Sequence, residues 1–182
     1  MTDTPDGRTT RRLLICFVDL STFARDAERH EDARVADVLD RYYQALGDAA
    51  RAAGGRLVKT IGDGALLVFP PERADDAVSA LLRLRDDVCA LLAKEGWTSW
   101  LVVKLHAGDV VAGAFGPREE RRYDIVGGAV NICARLPTRS FAISADAFRA
   151  LGKDARTKFK KHTQPVTYIP LDDVRPTPMT KL

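Results

Sequence analysis

The chain has 182 residues, 46% of them hydrophobic and 29% charged, which is typical of one soluble globular domain and excludes a disordered or fibrous chain. Its net charge of +3 is too small to indicate a nucleic-acid partner. No apolar run approaches the roughly 18 residues of a membrane span and no signal peptide precedes the polar start, so we expect a cytoplasmic protein without a membrane partner. The three cysteines, Cys16, Cys89 and Cys133, lack CxxC spacing and are predicted to be buried thiols.

The predicted elements alternate between strands and helices along the chain. Apolar residues at intervals of three and four predict the two long helices. The predicted helical segments are residues 31–53, 72–95, 126–136 and 145–151. Apolar runs bounded by glycine or proline predict the strands, which are residues 12–18, 56–61, 65–69, 100–107, 110–115, 141–143, 156–161 and 166–171. Gly108 and Asp109 are expected to form the turn of a second hairpin.

The order β, α, β-β, α, β-β predicts an α+β fold. Two βαβ units with helices packed on a mostly antiparallel sheet make a ferredoxin-like βαββαβ core, to which the C-terminal strands and helices are additions. The expected domain covers residues 12–172. Residues 1–11 and 173–182 show no periodicity and are expected to be flexible tails.

The most informative stretch is the hairpin around Gly62-Asp63-Gly64. Asp63 lies at the turn, and Lys59 lies four positions earlier, on the same face if the pleat is regular. An acid between two glycines is also ordinary turn chemistry. A second acid, Asp19, ends the first apolar run in the same way. Two carboxylates at the ends of neighbouring strands suit a pair of Mg²⁺ or Mn²⁺ ions.

Three blocks of sequence together carry a family resemblance. They are Phe17-Val-Asp-Leu-Ser-Thr-Phe23, Gly54-Gly-Arg-Leu-Val-Lys-Thr-Ile-Gly-Asp-Gly-Ala-Leu-Leu-Val-Phe69 and Tyr123-Asp-Ile-Val-Gly-Gly-Ala-Val-Asn-Ile-Cys-Ala-Arg-Leu136. In this order they resemble the signature blocks of the class III nucleotidyl cyclase catalytic domain, the adenylate and guanylate cyclase family, over residues 12–171. The resemblance implies in-line attack of a ribose 3′-hydroxyl on the α-phosphate, which gives a 3′,5′-cyclic nucleotide and pyrophosphate.

The resemblance also implies a two-metal site with a phosphate-binding loop beside it. Asp19 and Asp63 would each bind both of two divalent cations, Mg²⁺ or Mn²⁺. The main-chain amides that follow Asp19 would cradle the β- and γ-phosphates. The residues concerned are Leu20, Ser21, Thr22 and Phe23.

The resemblance makes base choice depend on Lys59 and Asp124. A lysine donor beside a carboxylate acceptor complements N1 and the C6 amino group of adenine, whereas guanine presents the opposite polarity and would leave both groups mispaired. ATP is therefore the expected substrate. The resemblance implies that guanylyl cyclases of the family would show a Glu/Cys pattern at these two positions instead. Without the resemblance, a solvated charge for Lys59 and a helix N-cap for Asp124 are the favoured interpretations.

Asn131 and Arg135 are four residues apart and would share one face of the predicted short helix. The resemblance assigns Asn131 to positioning the ribose and Arg135 to stabilising charge on the α-phosphate. A capping asparagine and an exposed arginine are the alternatives. His106 is interpreted as structural, and residues 160–162 offer a cation to the triphosphate on a looser match.

The resemblance implies a head-to-tail homodimer with two composite sites. Asp19 and Asp63 would come from one chain, and the other four site residues from its partner. Those four are Lys59, Asp124, Asn131 and Arg135. Because one chain carries all six, a symmetric dimer would have two complete sites.

Two features depart from the family pattern. Thr22 stands where a glycine is usual, and its Cβ would crowd the triphosphate or change the loop's dihedral angles. Residues 136–140 lack the usual glycine-containing turn. The leading hypothesis is an adenylate cyclase, and the alternatives are a guanylate cyclase or a catalytically weak nucleotide-binding regulatory domain that pairs with another cyclase-like chain. An RNA-binding module would need a basic face and exposed aromatics, and neither pattern is evident.

Overall fold

The computed structural model describes residues 7–162 and 165–173 of the chain. The strands in this part are β1 (Thr9–Ser21), β2 (Arg56–Ile61), β3 (Gly64–Phe69), β4 (Trp100–Phe115), β5 (Arg122–Val126), β6 (Phe141–Ser144), β7 (Phe159–His162) and β8 (Thr167–Pro170). The helices are α1 (Phe23–Ala27), α2 (Asp32–Ala52), α3 (Ala74–Lys94), α4 (Gly128–Ala134), α5 (Ala145–Ala150) and α6 (Lys153–Arg156), with a 3-10 turn at Pro71–Arg73. The predicted tails lie outside the described residues except for residues 7–11 and 173, and β1 begins at Thr9, earlier than expected.

The described strands form one sheet in the order β2-β3-β1-β4-β6-β8-β7, with β5 paired to β4. The first four strands have the order that a ferredoxin-like βαββαβ core requires. The pairing of β4 with β6 is parallel, and the other pairings are antiparallel. The predicted α+β fold with helices packed on a mostly antiparallel sheet is therefore confirmed.

The predicted second hairpin is wrong, because Gly108 and Asp109 lie inside the 16-residue strand β4. The 13-residue β1 pairs with β4 along its whole length, with Arg12 opposite Asp109, and their side chains form an ion pair of 3.8 Å. Gly108 allows α4 to pack closely on the sheet, since a Cβ at this position would lie 2.5 Å from the Cβ of Ala129 in α4. The second half of β4 pairs instead with β5, which the sequence did not predict.

The two faces of the sheet have separate hydrophobic cores. On one face α2 and α3 cover alternate residues of β1, including Leu14, Cys16 and Val18. The other face carries the smaller core under α4, which includes Ile15 and Cys133. All three cysteines are free thiols. Among the residues that the structure describes, no helix is both long enough and apolar enough to span a bilayer.

Candidate active site

The end of β1 and the β2–β3 turn bring Asp19 and Asp63 together. β1 and β3 are antiparallel neighbours with Val18 opposite Ala65, so the next residue of β1 lies beside the turn. A Cβ on Gly64 would lie 3.3 Å from Oδ1 of Asp19, which shows how closely this carboxylate approaches the turn. Partial burial raises the pKa of Asp19, and the negative charge of Asp63 raises it further.

Two carboxylates that repel each other fit a site for divalent cations, because a cation would neutralise both and oxygen is the donor that Mg²⁺ and Mn²⁺ prefer. Within residues 7–162 and 165–173, no group of three or more His, Cys, Asp or Glu side chains could hold a metal ion. The two acids therefore fit a site whose remaining ligands are water and the phosphate oxygens of a substrate, as is usual for Mg²⁺.

Two tyrosines of α2 lie near the β2–β3 turn that carries Asp63, the acidic turn. Gly62 has a φ of +59°, which favours glycine, and its carbonyl accepts the hydroxyl of Tyr43 at 2.5 Å. The Tyr42 hydroxyl is buried and finds no hydrogen-bond partner among the described residues. Burial raises the pKa of Tyr42, and the charges of Asp19 and Asp63 raise it further, which locates this tyrosine near both acids.

Lys104 belongs to the site, and the sequence interpretation missed it. In the β1–β4 register Lys104 lies opposite Phe17, and so on the same sheet face as Asp19. With Asp19 and Gly64 it lines a cleft of about 270 Å³, and its positive charge lowers the pKa of Asp19, opposing the larger upward effects. Its Nζ donates to the carbonyl of Ala134 at the end of α4, at 2.7 Å. Strand alternation predicts this placement once the register between β1 and β4 is known.

The turn after Asp19 contains the one non-glycine residue with positive φ in the part of the chain that the structure describes. Thr22 has φ 62° and ψ 16°, and it directly precedes α1. A left-handed conformation costs an L-residue about 1–2 kcal/mol, and a β-branched side chain makes it rarer still. Thr22 thus adopts the backbone conformation that glycine would have taken. Leu20 and Ser21 are the last residues of β1, and Phe23 is the first of α1.

Lys59 and Asp124 form an ion pair, with Nζ 2.6 Å from Oδ2. The pair joins β2 to β5, which a second contact also joins, because the guanidinium of Arg56 lies 4.4 Å from the ring centre of Tyr123. The alternative that Asp124 caps a helix is wrong: Asp124 lies within β5, and α4 begins only after Gly127. Both side chains of the pair are partly exposed, at 42% and 24%, so a ligand could reach them.

A β-bulge decides which way Lys59 points. Leu57 lies opposite Leu67, but Lys59 lies opposite Leu66, so Val58 is the extra residue of β2. In a regular pleat Val58 would face Leu66, and Lys59 would lie on the opposite side of the sheet. The regular pleat expected after Lys59 is not interrupted by this bulge, because the register is regular from Lys59 to Ile61. The bulge places this lysine on the face that carries Leu66 and α4.

Asn131 lies in the middle of α4, and Arg135 directly follows its last residue. Arg135 follows the helix, and its N–H donates to the carbonyl of Asn131 at 3.2 Å, so the four-residue spacing holds. Both side chains are exposed. In the described residues, no hydrogen bond or ion pair joins either of them to Asp19 or Asp63. Asn131 and Arg135 thus make no hydrogen bond or ion pair with the acids in the described part of their own chain, although Ala134 at the end of α4 lines the same cleft as Asp19.

The remaining candidates lie away from the two acids. His106 is 5% exposed, and its Nδ1 lies 2.8 Å from Oγ of Ser144, which also accepts the N–H of Ala147 and caps α5. Burial lowers the pKa of His106. Lys160 and Lys161 are exposed on β7, at the edge of the sheet farthest from β2.

Comparison with known proteins gives one consistent family. The sequence profile of the adenylate and guanylate cyclase catalytic domain matches residues 8–162. An adenylate cyclase of Streptomyces coelicolor is 32% identical over 126 residues, which is 69% of this chain but 29% of that protein. The chain thus spans less than a third of the length of that relative.

Solved structures of cyclases share the fold of this chain. The adenylyl cyclase CyaB from P. aeruginosa has a TM-score of 0.78 at 21% identity, covering 92% of this chain and 97% of that one. The guanylyl cyclase Cya2 has a TM-score of 0.75 at 21% identity, covering 88% and 91%. The same fold therefore occurs in proteins named for either base. By its sequence profile and its fold, the chain belongs to the class III adenylate and guanylate cyclase catalytic domain family.

Proposed function

We propose that this domain converts ATP to 3′,5′-cyclic AMP and pyrophosphate at sites shared by two copies of the chain. The observation that carries the proposal is the approach of Asp19 and Asp63 at the ends of adjoining strands, beside a cleft that also contains Lys104. Asp19 and Asp63 would hold two divalent cations, Mg²⁺ or Mn²⁺. Such ions, when bound, lower the pKa of a hydroxyl and neutralise phosphate charge.

The other residues have roles that follow from their chemistry. Asn131 would orient the ribose, and the planar guanidinium of Arg135 would stabilise charge that develops on the α-phosphate. The amides of residues 20–23 would face the β- and γ-phosphates, and the ammonium of Lys104 would add a positive charge beside them. In the reaction the ribose 3′-oxygen bonds to the α-phosphorus, the bond to the β-phosphate bridging oxygen breaks, and the hydroxyl proton passes to solvent.

Base choice would rest on the Lys59–Asp124 pair. The preformed contact of 2.6 Å places a donor beside an acceptor on one edge of the domain. This polarity complements adenine and mispairs with guanine, so ATP is preferred over GTP. The family includes proteins named for both bases, and the pair supplies the argument for adenine.

A second chain would complete the site, because over the residues that the structure describes neither Asn131 nor Arg135 forms a hydrogen bond or ion pair with Asp19 or Asp63 of its own chain. Large apolar side chains next to the candidate residues support an interface there. Ile61, Val126 and Ile132 are 61%, 53% and 47% exposed. Ile61 adjoins the acidic turn, Val126 is the last residue of β5, and Ile132 follows Asn131. In a head-to-tail dimer, Lys59, Asp124, Asn131 and Arg135 of one chain would meet the acids of the other.

A second candidate is a catalytically weak regulatory domain. The observation that favours it is the left-handed Thr22 in the loop that would approach the phosphates, where a side chain restricts the backbone. Such a domain would bind nucleotide but turn it over slowly.

The test is product formation from ATP and, separately, from GTP, with Mn²⁺ and then Mg²⁺. We expect cyclic AMP from the parent, loss of product in Asp63→Asn, and unchanged activity in Asp109→Asn, which removes an exposed acid of β4 outside the site. Cyclic GMP as the main product would contradict the assignment of adenine as the base but would agree with a cyclase activity. Bound ATP without product would favour the regulatory domain.

A further inference from the structure

We propose that Asp26 is a positioning residue, which holds the turn after Asp19 in the left-handed conformation of Thr22. This inference rests on the proposed function, in which that turn meets the triphosphate. It assigns a role to a buried acid that none of the sequence blocks singles out.

Asp26 is anchored by four groups of the segment that leads into β4. The side chain is 2% exposed, and its Oδ2 accepts the main-chain N–H of Thr98 at 2.8 Å and of Ser99 at 2.7 Å. The hydroxyl of Ser99 donates to Oδ2 at 2.6 Å, and that of Thr98 to Oδ1 at 3.0 Å. No cation pairs with Asp26 in the part of the chain that the structure describes, so oriented amides and hydroxyls hold the charge.

The turn that contains Thr22 is held at both ends, by strand pairing at Ser21 and by the hydrogen bonds of Asp26. Ser21 lies opposite Trp100 in the β1–β4 register, so the residue before Thr22 is already held by the sheet. Asp26 then binds Thr98 and Ser99, the two residues that precede Trp100. The four residues between Ser21 and Asp26 must therefore reverse direction within a fixed span. The left-handed residue provides that change of direction from strand to helix.

Aromatic contacts also join α1 to the segment that leads into β4. The ring of Phe23 lies 5.5 Å from that of Trp97, and the ring of His30 stacks on the same tryptophan at 5.5 Å with an interplanar angle of 8°. The guanidinium of Arg25 donates to Oγ1 of Thr98 at 2.9 Å. Residues 97–99 thus contact Phe23, Arg25 and Asp26 of α1.

A positioning role differs from a purely structural one in what it predicts for Thr22. If Asp26 only stabilises the fold, its loss lowers the amount of folded protein whatever residue occupies position 22. If Asp26 compensates for the left-handed Thr22, glycine at that position removes the need for the anchor, because glycine adopts this conformation freely.

The experiment compares Asp26→Asn, Thr22→Gly and the double variant, with Asp75→Asn as the matched control. Asp75 is a carboxylate that also accepts a distant main-chain amide, that of Gly152 at 2.8 Å, but in α3 away from the turn. We expect Asp26→Asn to raise KM for ATP about tenfold with kcat within about threefold. Asp75→Asn should stay within about twofold of the parent, and the KM of the double variant should lie close to that of Thr22→Gly alone.

A fall in kcat without a change in KM, or a KM in the double variant as high as in Asp26→Asn, would overturn the proposal. Ser99→Ala, which removes one hydroxyl donor, serves if Asp26→Asn does not fold, and should raise KM about threefold. Amide hydrogen exchange over residues 21–25 gives a readout without turnover. It should quicken in Asp26→Asn and return towards the parent in the double variant. An absence of cyclic nucleotide from the parent would refute the proposed function, while unaltered exchange would refute the role of Asp26.

Discussion

Two turns place the acids of the site, and they are built in different ways. The turn that carries Asp63 uses glycine at the residue with φ +59°, so the local sequence supplies the conformation it needs. The turn that follows Asp19 has almost the same φ, 62°, at a threonine. Its conformation must come from tertiary contacts, chiefly those of Asp26 with the start of β4. Sequence motifs thus reveal the first turn directly, and only the fold explains the second.

The largest expected effect comes from removing either acid that the two turns present. Asp19→Asn and Asp63→Asn should each lower cyclase activity about 10²- to 10³-fold, measured as cyclic AMP formed with Mn²⁺. Because the two charges repel in the metal-free protein, each variant should also melt a few degrees higher, roughly 2 °C, without metal. Lower melting temperatures for both would show that the acids are structural ion-pair partners instead.

Lys104→Met tests the cation that lies beside Asp19. The substitution keeps the apolar stem and removes the ammonium, so kcat/KM for ATP should fall about tenfold with little change in stability. Lys94→Met, at the exposed end of α3, is the matched control. Equal kinetics for the two variants would exclude Lys104 from the site.

Substitutions at the two glycines of the acidic turn should separate the effect of a steric contact from the effect of a strained backbone. Gly64→Ala places a Cβ 3.3 Å from Oδ1 of Asp19, so activity should fall several-fold while stability changes little. Gly62→Ala meets open space but carries a positive φ, so it should cost about 1 kcal/mol of unfolding free energy, measured by denaturant titration. The reverse pattern would contradict the geometry of the turn.

The smallest effect is a pH dependence at Asp26. Burial favours a higher pKa for Asp26, but the hydrogen bonds from Ser99 and Thr98 outweigh it, so the pKa lies below its ordinary value of 3.8. A lowered pKa means that the folded state favours the ionised acid. Its contribution is present above the unfolded pKa of about 3.9 and is lost as the pH falls through the folded value.

The unfolding free energy of Asp26→Asn should therefore lie below that of the parent at pH 7, and the gap should narrow as the pH falls below about 3.9. Thr22→Gly should shift the whole curve without changing its shape. A gap for Asp26→Asn that stays constant with pH would show that the carboxyl charge contributes nothing.

Long, periodic or locally encoded elements could be predicted from the sequence. The helix α2 and the hairpin of β2 and β3 match their predicted ranges closely, because a 3.6-residue pattern and glycine punctuation specify them. Gly108 and Asp109 misled the prediction since their turn chemistry is overridden by pairing with β1.

The features that were missed depend on partners distant in sequence. Lys104 was missed because its position beside Asp19 depends on the register between β1 and β4, and the bulge at Val58 leaves no local signature. Thr22 could be recognised as unusual from its motif. Nothing near Asp26 shows that amides 72 and 73 residues away would hold it.

The central claim is that each site is shared by two chains, and mixing inactive variants tests it most directly. Asp63→Ala and Arg135→Ala would be mixed at equal concentration, and cyclic AMP formation compared with that of each variant alone. In a mixed dimer one site has both residues intact and the other has neither, and half of the randomly paired dimers are mixed. The composite site therefore predicts recovery of about a quarter of the parent activity. No recovery, with mixed dimers demonstrated by size and mass, would contradict it.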